Sequence, residues 1–303
     1  MRPIKVVIAA AAAFALMASS ASAQVVVSSK IDTEGGVLGN VIKLVLEAND
    51  IAVTDRIQLG GTPVVREAIS AGQIDIYPEY TGNAAFFFNR ADEPIWNNAA
   101  LAYEEAKKLD YDANKIVWLQ TAPANNTWGI AIRSEIAEAN GLATMSDLAG
   151  YVNGGGEIKL AASAEFVSSP AALPKFKDTY GFELDPSQLL TLAGGDTAAT
   201  IAAAAQQTSG VNAAMVYGTD GAISASGLTV LEDDMGVQPV YEPAPIIREA
   251  VLNQHPEIAD LLAPIFSKLD LATLQTLNGR VQLGGEAPSA VAADWLTENG
   301  FLE

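Results

Sequence analysis

The side chains able to do chemistry in this sequence are carboxylates, hydroxyls and aromatic rings, because its 303 residues include no Cys and a single His, His255. That excludes a thiol nucleophile, a disulfide framework, a zinc-cysteine centre and a poly-His metal site. Paired acids exist: Asp75 with Glu79, and Asp233 beside Asp234, could be the acid and base of an exported hydrolase acting on sugars. Nothing else of such a site accompanies them, and carboxylates on turns ordinarily cap helices or face solvent. Gly154-Gly155-Gly156 lacks the Lys-Ser/Thr of a phosphate loop and reads as a turn. His255, before Pro256, reads as a surface residue at a helix start.

A more telling spacing occurs twice. Leu59-Gly60-Gly61-Thr62 leads into a helix, then Gly72, a strand ending in Tyr77, and the turn Glu79-Tyr80-Thr81-Gly82. Leu192-Ala193-Gly194-Gly195-Asp196-Thr197 leads into an Ala-rich helix, then Gly210, a strand ending in Tyr217, and the turn Gly218-Thr219-Asp220-Gly221. In open parallel sheets, ligands sit at the carboxyl ends of strands, where helix N-termini present free N–H groups. With one copy in each of two lobes, two tyrosine-bearing loops face each other across a cleft.

The elements holding these loops are those of an α/β protein, short apolar runs alternating with helix-like stretches. Strands are expected over 25–27, 56–59, 74–77, 115–119, 128–132, 158–161, 188–192, 213–217 and 228–231, in mostly parallel sheet. A helix over 35–48 carries Val37, Leu38, Val41, Ile42, Val45 and Leu46 on one face. The tail over 256–299 is helical, broken near Asp270 and across 284–288. No low-complexity linker separates two halves, so two lobes joined by crossing strands are expected, the crossings near 123–126 and 221–227. This gives lobe I as 24–124 plus 222–303 and lobe II as 125–221.

Residues 1–23 read as a secretory signal: Arg2 and Lys5, an apolar run over 6–17, and the small-x-small site Ala21-Ser22-Ala23 before Gln24. The run is short of the roughly 20 residues that span a bilayer. With no Cys at the cut, a lipid anchor is excluded, and a free periplasmic protein is expected. The chain has 17 Lys+Arg against 36 Asp+Glu, a net charge of −19. Such acidity argues against nucleic acid and anionic membranes and leaves small solutes, cations or protein partners.

Ser29-Lys30-Ile31-Asp32-Thr33-Glu34, Leu59-Gly60-Gly61-Thr62, the block from Ile74 through Tyr80 to Gly82, Tyr217-Gly218-Thr219-Asp220-Gly221 and Leu231-Glu232-Asp233-Asp234 carry a resemblance. Together with Leu277-Asn278 and Val291-Ala292, they resemble the glycine betaine, carnitine and choline-binding proteins of ABC importers, the OpuAC-type family, and within it the YehZ/OsmF-like branch. The resemblance implies a type II periplasmic-binding-protein fold, two α/β lobes closing on a solute. It also implies a monomer without cofactor, metal or catalytic residue, which docks on a membrane permease driven by an ATPase and imports an osmoprotectant. A binding protein of the same fold for an unrelated small polar solute, and a ligand sensor, are the alternatives.

For site residues, the resemblance implies a cage of Tyr80, Trp128, Tyr217 and Tyr241, with Asn126 in the Trp128 segment. A quaternary ammonium cannot donate hydrogen bonds, so aromatic faces hold it, at roughly 0.5 to 2 kcal/mol each. Tyr77 could equally be core, and Phe86, Phe87 and Phe88 read as core or lobe surface. Lys30 and Asn83 fall where the family grips the ligand's other end. The arginine expected shortly after Glu165-Phe166 is absent: Val167-Ser168-Ser169-Pro170 leaves the hydroxyl of Ser169 where a guanidinium would grip a carboxylate with two prongs. That loss is worth about 2 to 4 kcal/mol to a carboxylate ligand, so low affinity for glycine betaine, or a ligand without a carboxylate such as choline, is expected.

Overall fold

The computed structural model describes residues 24–192 and 197–302. The signal read over 1–23, and Ala193 to Asp196 with the glycine pair of the second repeat, lie outside the described residues. Ten strands are described: β1 (Val25–Lys30), β2 (Val53–Gly60), β3 (Ile76–Tyr80), β4 (Ile116–Trp118), β5 (Trp128–Arg133), β6 (Leu160–Ser163), β7 (Leu189–Leu192), β8 (Ala213–Tyr217), β9 (Leu228–Val230) and β10 (Pro243–Arg248). They form two five-stranded sheets, in the orders β2-β1-β3-β10-β4 and β7-β6-β8-β5-β9. Each sheet has four strands running one way and one running against them, β10 in the first and β5 in the second. The two reversed strands are the ones entered from the other lobe, which is why they run backwards.

The repeated motif falls on equivalent positions: β2 and β3 flank β1 as β7 and β8 flank β6. After β1, the helix Thr33–Ala48 is capped by the Asp32 carboxylate, which accepts the Gly35 N–H at 2.7 Å. Its face of Val37, Leu38, Val41, Ile42, Val45 and Leu46 is fully buried against β1 and the helix Pro288–Glu298. Burying each such side chain contributes roughly 1.5 to 3 kcal/mol, so this face anchors the first lobe. The tail forms the helices Glu257–Phe266, Leu271–Gln282 and Pro288–Glu298, parted at Asp270 and over 283–287.

The sequence reading misses β10 altogether, because Pro243 and Pro245 argue against an interior strand. The structure accommodates them by register. Pro245 faces Pro78 on β3, and on its other side its carbonyl accepts the Leu119 N–H at 2.9 Å. Pro245 has no N–H to return to the Leu119 carbonyl, and the Tyr103 hydroxyl fills that role at 3.0 Å.

Residues 119–127 make the first crossing between sheets. The second lies over 231–242, downstream of the expected 221–227, because β9 pairs with β5 and so belongs to the second sheet. Gly227, at φ +67°, turns the chain from the helix Ala222–Ala225 into that strand. The crossings run side by side: Asn126 N–H donates to the Tyr241 carbonyl at 2.9 Å, Tyr241 N–H to Asn125 Oδ1 at 2.8 Å, and the Thr127 hydroxyl to the Pro239 carbonyl at 2.9 Å.

Candidate functional site

The carboxyl ends of β1, β3, β6 and β8 open onto a cavity of about 730 Å³ between the lobes, the size range of small-molecule sites. Lys30, Tyr80, Asn83, Asn126, Trp128, Ser169, Tyr217 and Tyr241 all line it. Tyr77 does not: it is fully buried in the first lobe's core, with its hydroxyl on Glu79 Oε2 at 2.7 Å. Phe86 is 49% exposed and lines the cavity, while Phe87 lies under the Arg66 guanidinium, 4.4 Å from it.

The rings are held by their neighbours. Trp128 opens β5 directly opposite Tyr217, the last residue of β8. Their rings stack with centroids 6.2 Å apart and planes 25° apart, and buried Phe166 meets Trp128 edge-on at 5.7 Å. The turn after Tyr217 is fixed by its own N–H donating to Asp220 Oδ2 at 2.8 Å. Burial pushes the Tyr217 hydroxyl up to about 12 and raises Tyr80 and Tyr241 as well, so all three stay neutral at physiological pH. Tyr241 packs over the backbone of Gly82, where an added Cβ would lie 2.8 Å from the ring. Gly82→Ala is therefore expected to displace Tyr241 and weaken solute binding about tenfold with little loss of stability, measured by calorimetric titration beside a melting curve.

Glu34, in the first turn of the helix Thr33–Ala48, is the polar centre of the site. Its Oε1 accepts the Tyr80 hydroxyl at 2.8 Å and Asn126 Nδ2 at 3.1 Å, and its Oε2 accepts Asn278 Nδ2 at 2.7 Å. Burial raises its carboxyl to about 7 despite these donors. Asn278 Nδ2 also donates to the Thr219 carbonyl at 2.9 Å, and Gln275 Nε2 to the Gly218 carbonyl at 2.8 Å. These bonds bridge helix Leu271–Gln282 of the first lobe to the tyrosine turn of the second. Backbone meets backbone there: a Cβ on Gly221 would lie 2.0 Å from the Gly279 nitrogen.

Lys30 and Asn83 line the cavity, and each gives one of its N–H donors to Glu79. Lys30 Nζ lies 2.5 Å and Asn83 Nδ2 2.7 Å from Glu79 Oε1. Burial opposes charge on Glu79, but the Lys30 ammonium and the hydrogen bonds from Lys30, Asn83 and Tyr77 hold its carboxyl below the usual value. Lys30 also sits 4.5 Å from the Tyr80 ring centroid. The charged residues lining the cavity are then Asp32, Glu34, Glu165 and Asp220 against one internally neutralised lysine.

Glu34, Glu165, Asn278 and Gln282 escaped the sequence reading. The usable signal was position: Glu34 and Glu165 are each the second residue of the helix that follows the strand next to the edge of its sheet, β1 or β6. The acid pairs are engaged elsewhere. Asp75 accepts the Val26 N–H at 2.8 Å and Arg248 Nε at 3.0 Å. Asp233 accepts the Tyr180 hydroxyl at 2.5 Å, and Asp234 the Ser146 hydroxyl at 2.6 Å.

The chain is 55% identical to the glycine betaine-binding protein YehZ of Escherichia coli over 93% of each chain. It is 34% identical to a glycine-betaine-binding protein of Pseudomonas aeruginosa, covering 91% of this chain and 88% of that one. The solved structure of apo YehZ from E. coli superposes with a TM-score of 0.83, covering 92% of this chain and all of that one. The two-lobed architecture is thus that of the periplasmic binding proteins. Residues 23–298 match the substrate-binding domain of ABC-type glycine betaine transport systems, and the chain belongs to that family as the substrate-binding component of an importer.

Proposed function

We propose that this chain captures a small organic cation of the quaternary ammonium type in its inter-lobe cavity and delivers it to the permease and ATPase of an ABC importer. The observation that carries this reading is the pairing of aromatic faces from both lobes with four carboxylates and one lysine already neutralised by Glu79. Such walls attract a cation twice over, by ring quadrupole and by charge. The protein binds stoichiometrically and turns nothing over, because the acid pairs that would serve hydrolysis are engaged in structural hydrogen bonds outside the cavity. It works as a monomer in the periplasm after cleavage before Gln24, which N-terminal sequencing of the exported protein checks.

The experiment is a thermal-shift screen with glycine betaine, proline betaine, carnitine, choline, choline sulfate, ectoine and amino acids. A ligand at 100 times its Kd adds about 2.7 kcal/mol of stability. A shift with one or more quaternary ammonium compounds is expected; none with any of them rejects the reading.

Ser169 is half-buried on the cavity wall at the end of helix Ala164–Ser168, and the family resemblance implies a carboxylate-gripping arginine at about this position. Ser169→Arg is expected to raise affinity for glycine betaine about tenfold or more, through charge-assisted hydrogen bonds of roughly 1.5 to 3 kcal/mol. Unchanged betaine affinity by titration would reject that placement of the ligand's acidic end.

A further inference from the structure

Besides the two crossings, the lobes meet at a third place. The turn 218–221, which follows β8 of the second sheet, lies against helix Leu271–Gln282 of the first lobe. Gln275 Nε2 donates to the Gly218 carbonyl at 2.8 Å, and Asn278 Nδ2 to the Thr219 carbonyl at 2.9 Å. Beyond them the main chains close up. An added Cβ on Gly221 would lie 2.0 Å from the Gly279 nitrogen and 2.3 Å from the Gln275 carbonyl oxygen, and one on Gly279 would lie 3.2 Å from the Gly221 carbonyl oxygen. Only glycine at 221 lets the lobes approach this closely.

Each side of the contact is built into its own lobe. Leu274 and Leu277 are buried with Val37 and Val41 in the first core, while Ala222 and Ile223, next along the chain from Gly221, are buried with Val216 and Leu228 in the second. The contact therefore joins two packed bodies rather than ordering a loop. It also lies on the cavity side of the crossings, because Thr219 and Asp220 from one lobe and Asn278 and Gln282 from the other line the cavity. That is the side that parts when the lobes open. Gln275 is half-buried and does not line the cavity, so its bond to Gly218 serves the lobes and not the solute.

We infer that Gln275 and the Gly221–Gly279 approach form a latch, made when the lobes close and broken when they open, which sets solute affinity without touching the solute. Contacts made in only one of two forms shift the population toward that form. A solute held from both lobes binds the closed form, so the latch tightens every solute by the same factor. In an empty protein that is mostly open, loss of the latch appears as lost affinity. In one that is mostly closed, it appears as lobes that separate. The inference needs only that a solute binds between the lobes, whatever its chemistry.

The test reads both quantities in the mature chain at pH 7.5. With no Cys in the sequence, spin labels on Glu67→Cys and Asp178→Cys, exposed residues of the first and second lobes, report the inter-lobe distance by double electron–electron resonance, with and without solute. Calorimetric titration with glycine betaine and with choline reports affinity. Gln275→Glu keeps the side chain's shape and removes its donor, since an ionised carboxylate only accepts. It is expected to lower the affinity of each probe that binds the wild type by at least about fivefold, the usual net worth of one hydrogen bond, or to lengthen the label distance in the empty protein. Gln275→Ala should act alike, and Gly221→Ala, which wedges the main chains apart, more strongly, with a melting curve to show that each folds. Where both probes bind, an equal factor for the two supports the latch. A loss confined to one probe means that Gln275 acts on the solute, and overturns it. Wild-type label distances and affinities in both Gln275 variants also overturn it. If neither probe binds the wild type but the label distance lengthens, the latch stands and the quaternary ammonium reading fails.

Discussion

Tyr217→Ala is expected to weaken cation binding roughly 30- to 100-fold and leave the fold intact. The substitution removes one ring face, worth about 0.5 to 2 kcal/mol, and the stacking that fixes Trp128, worth about another 0.5 to 1.5 kcal/mol. Those losses sum to about 1 to 3.5 kcal/mol, or about 5- to 400-fold in affinity, and the stated range is the middle of it. The fold should survive because Tyr217 is the last residue of β8, only partly buried, and the N–H that meets Asp220 is main chain. Titration with choline, beside a melting curve, checks both halves. Wild-type affinity in the variant would remove Tyr217 from the cage.

Affinity for a cation is expected to rise about tenfold from pH 6 to pH 8, and Glu34 is the reason. Burial holds its carboxyl at about 7, above its ordinary 4.5. A bound cation favours the ionised form, so below pH 7 binding must first expel a proton, and affinity falls about tenfold per unit of pH. Above pH 7 the carboxylate is already charged and the dependence flattens. The empty protein shows the opposite trend. Because the folded value exceeds the unfolded one, the folded chain holds the extra proton, and this contribution is complete below about 4.5. It is lost as pH rises through 7, a swing of about 3 kcal/mol. Titrations in buffers of different ionisation enthalpy, with melts across the same range, check both signs. Glu34→Gln should flatten both profiles, and pH-independent affinity in the wild type would reject Glu34 as the responsible group.

How much of this was legible in the sequence depended on distance along the chain. The apolar face from Val37 to Leu46 and the repeated strand-turn plan are local patterns; the first emerges where periodicity placed it, and the second as equal positions in two sheets, although β3 runs past the expected end at Tyr77 to Tyr80, which was read as turn. The pairing partners are not local. Glu34 meets Tyr80, Asn126 and Asn278 at separations of 46, 92 and 244 residues, and no spacing rule connects them. Lys30 and Asn83 illustrate the same blindness: their types suit a carboxylate ligand, but the buried Glu79 carboxylate, 49 and 4 residues away in sequence, also takes a hydrogen bond from each. The strand β10 was hidden by its own prolines, which only a partner such as the Tyr103 hydroxyl makes tolerable.

The side-by-side crossings have a mechanical meaning. Asn126 and Tyr241 are bonded to each other across the two crossings and also line the cavity, so the axle of the molecule is part of its grip. A rotation that parts the lobes must act through this pair and, on the reading proposed for the site, loosens two of the solute's contacts at the pivot itself. A transporter that pries the lobes apart can thus unload the solute by torque alone, without reaching into the cavity to compete for it.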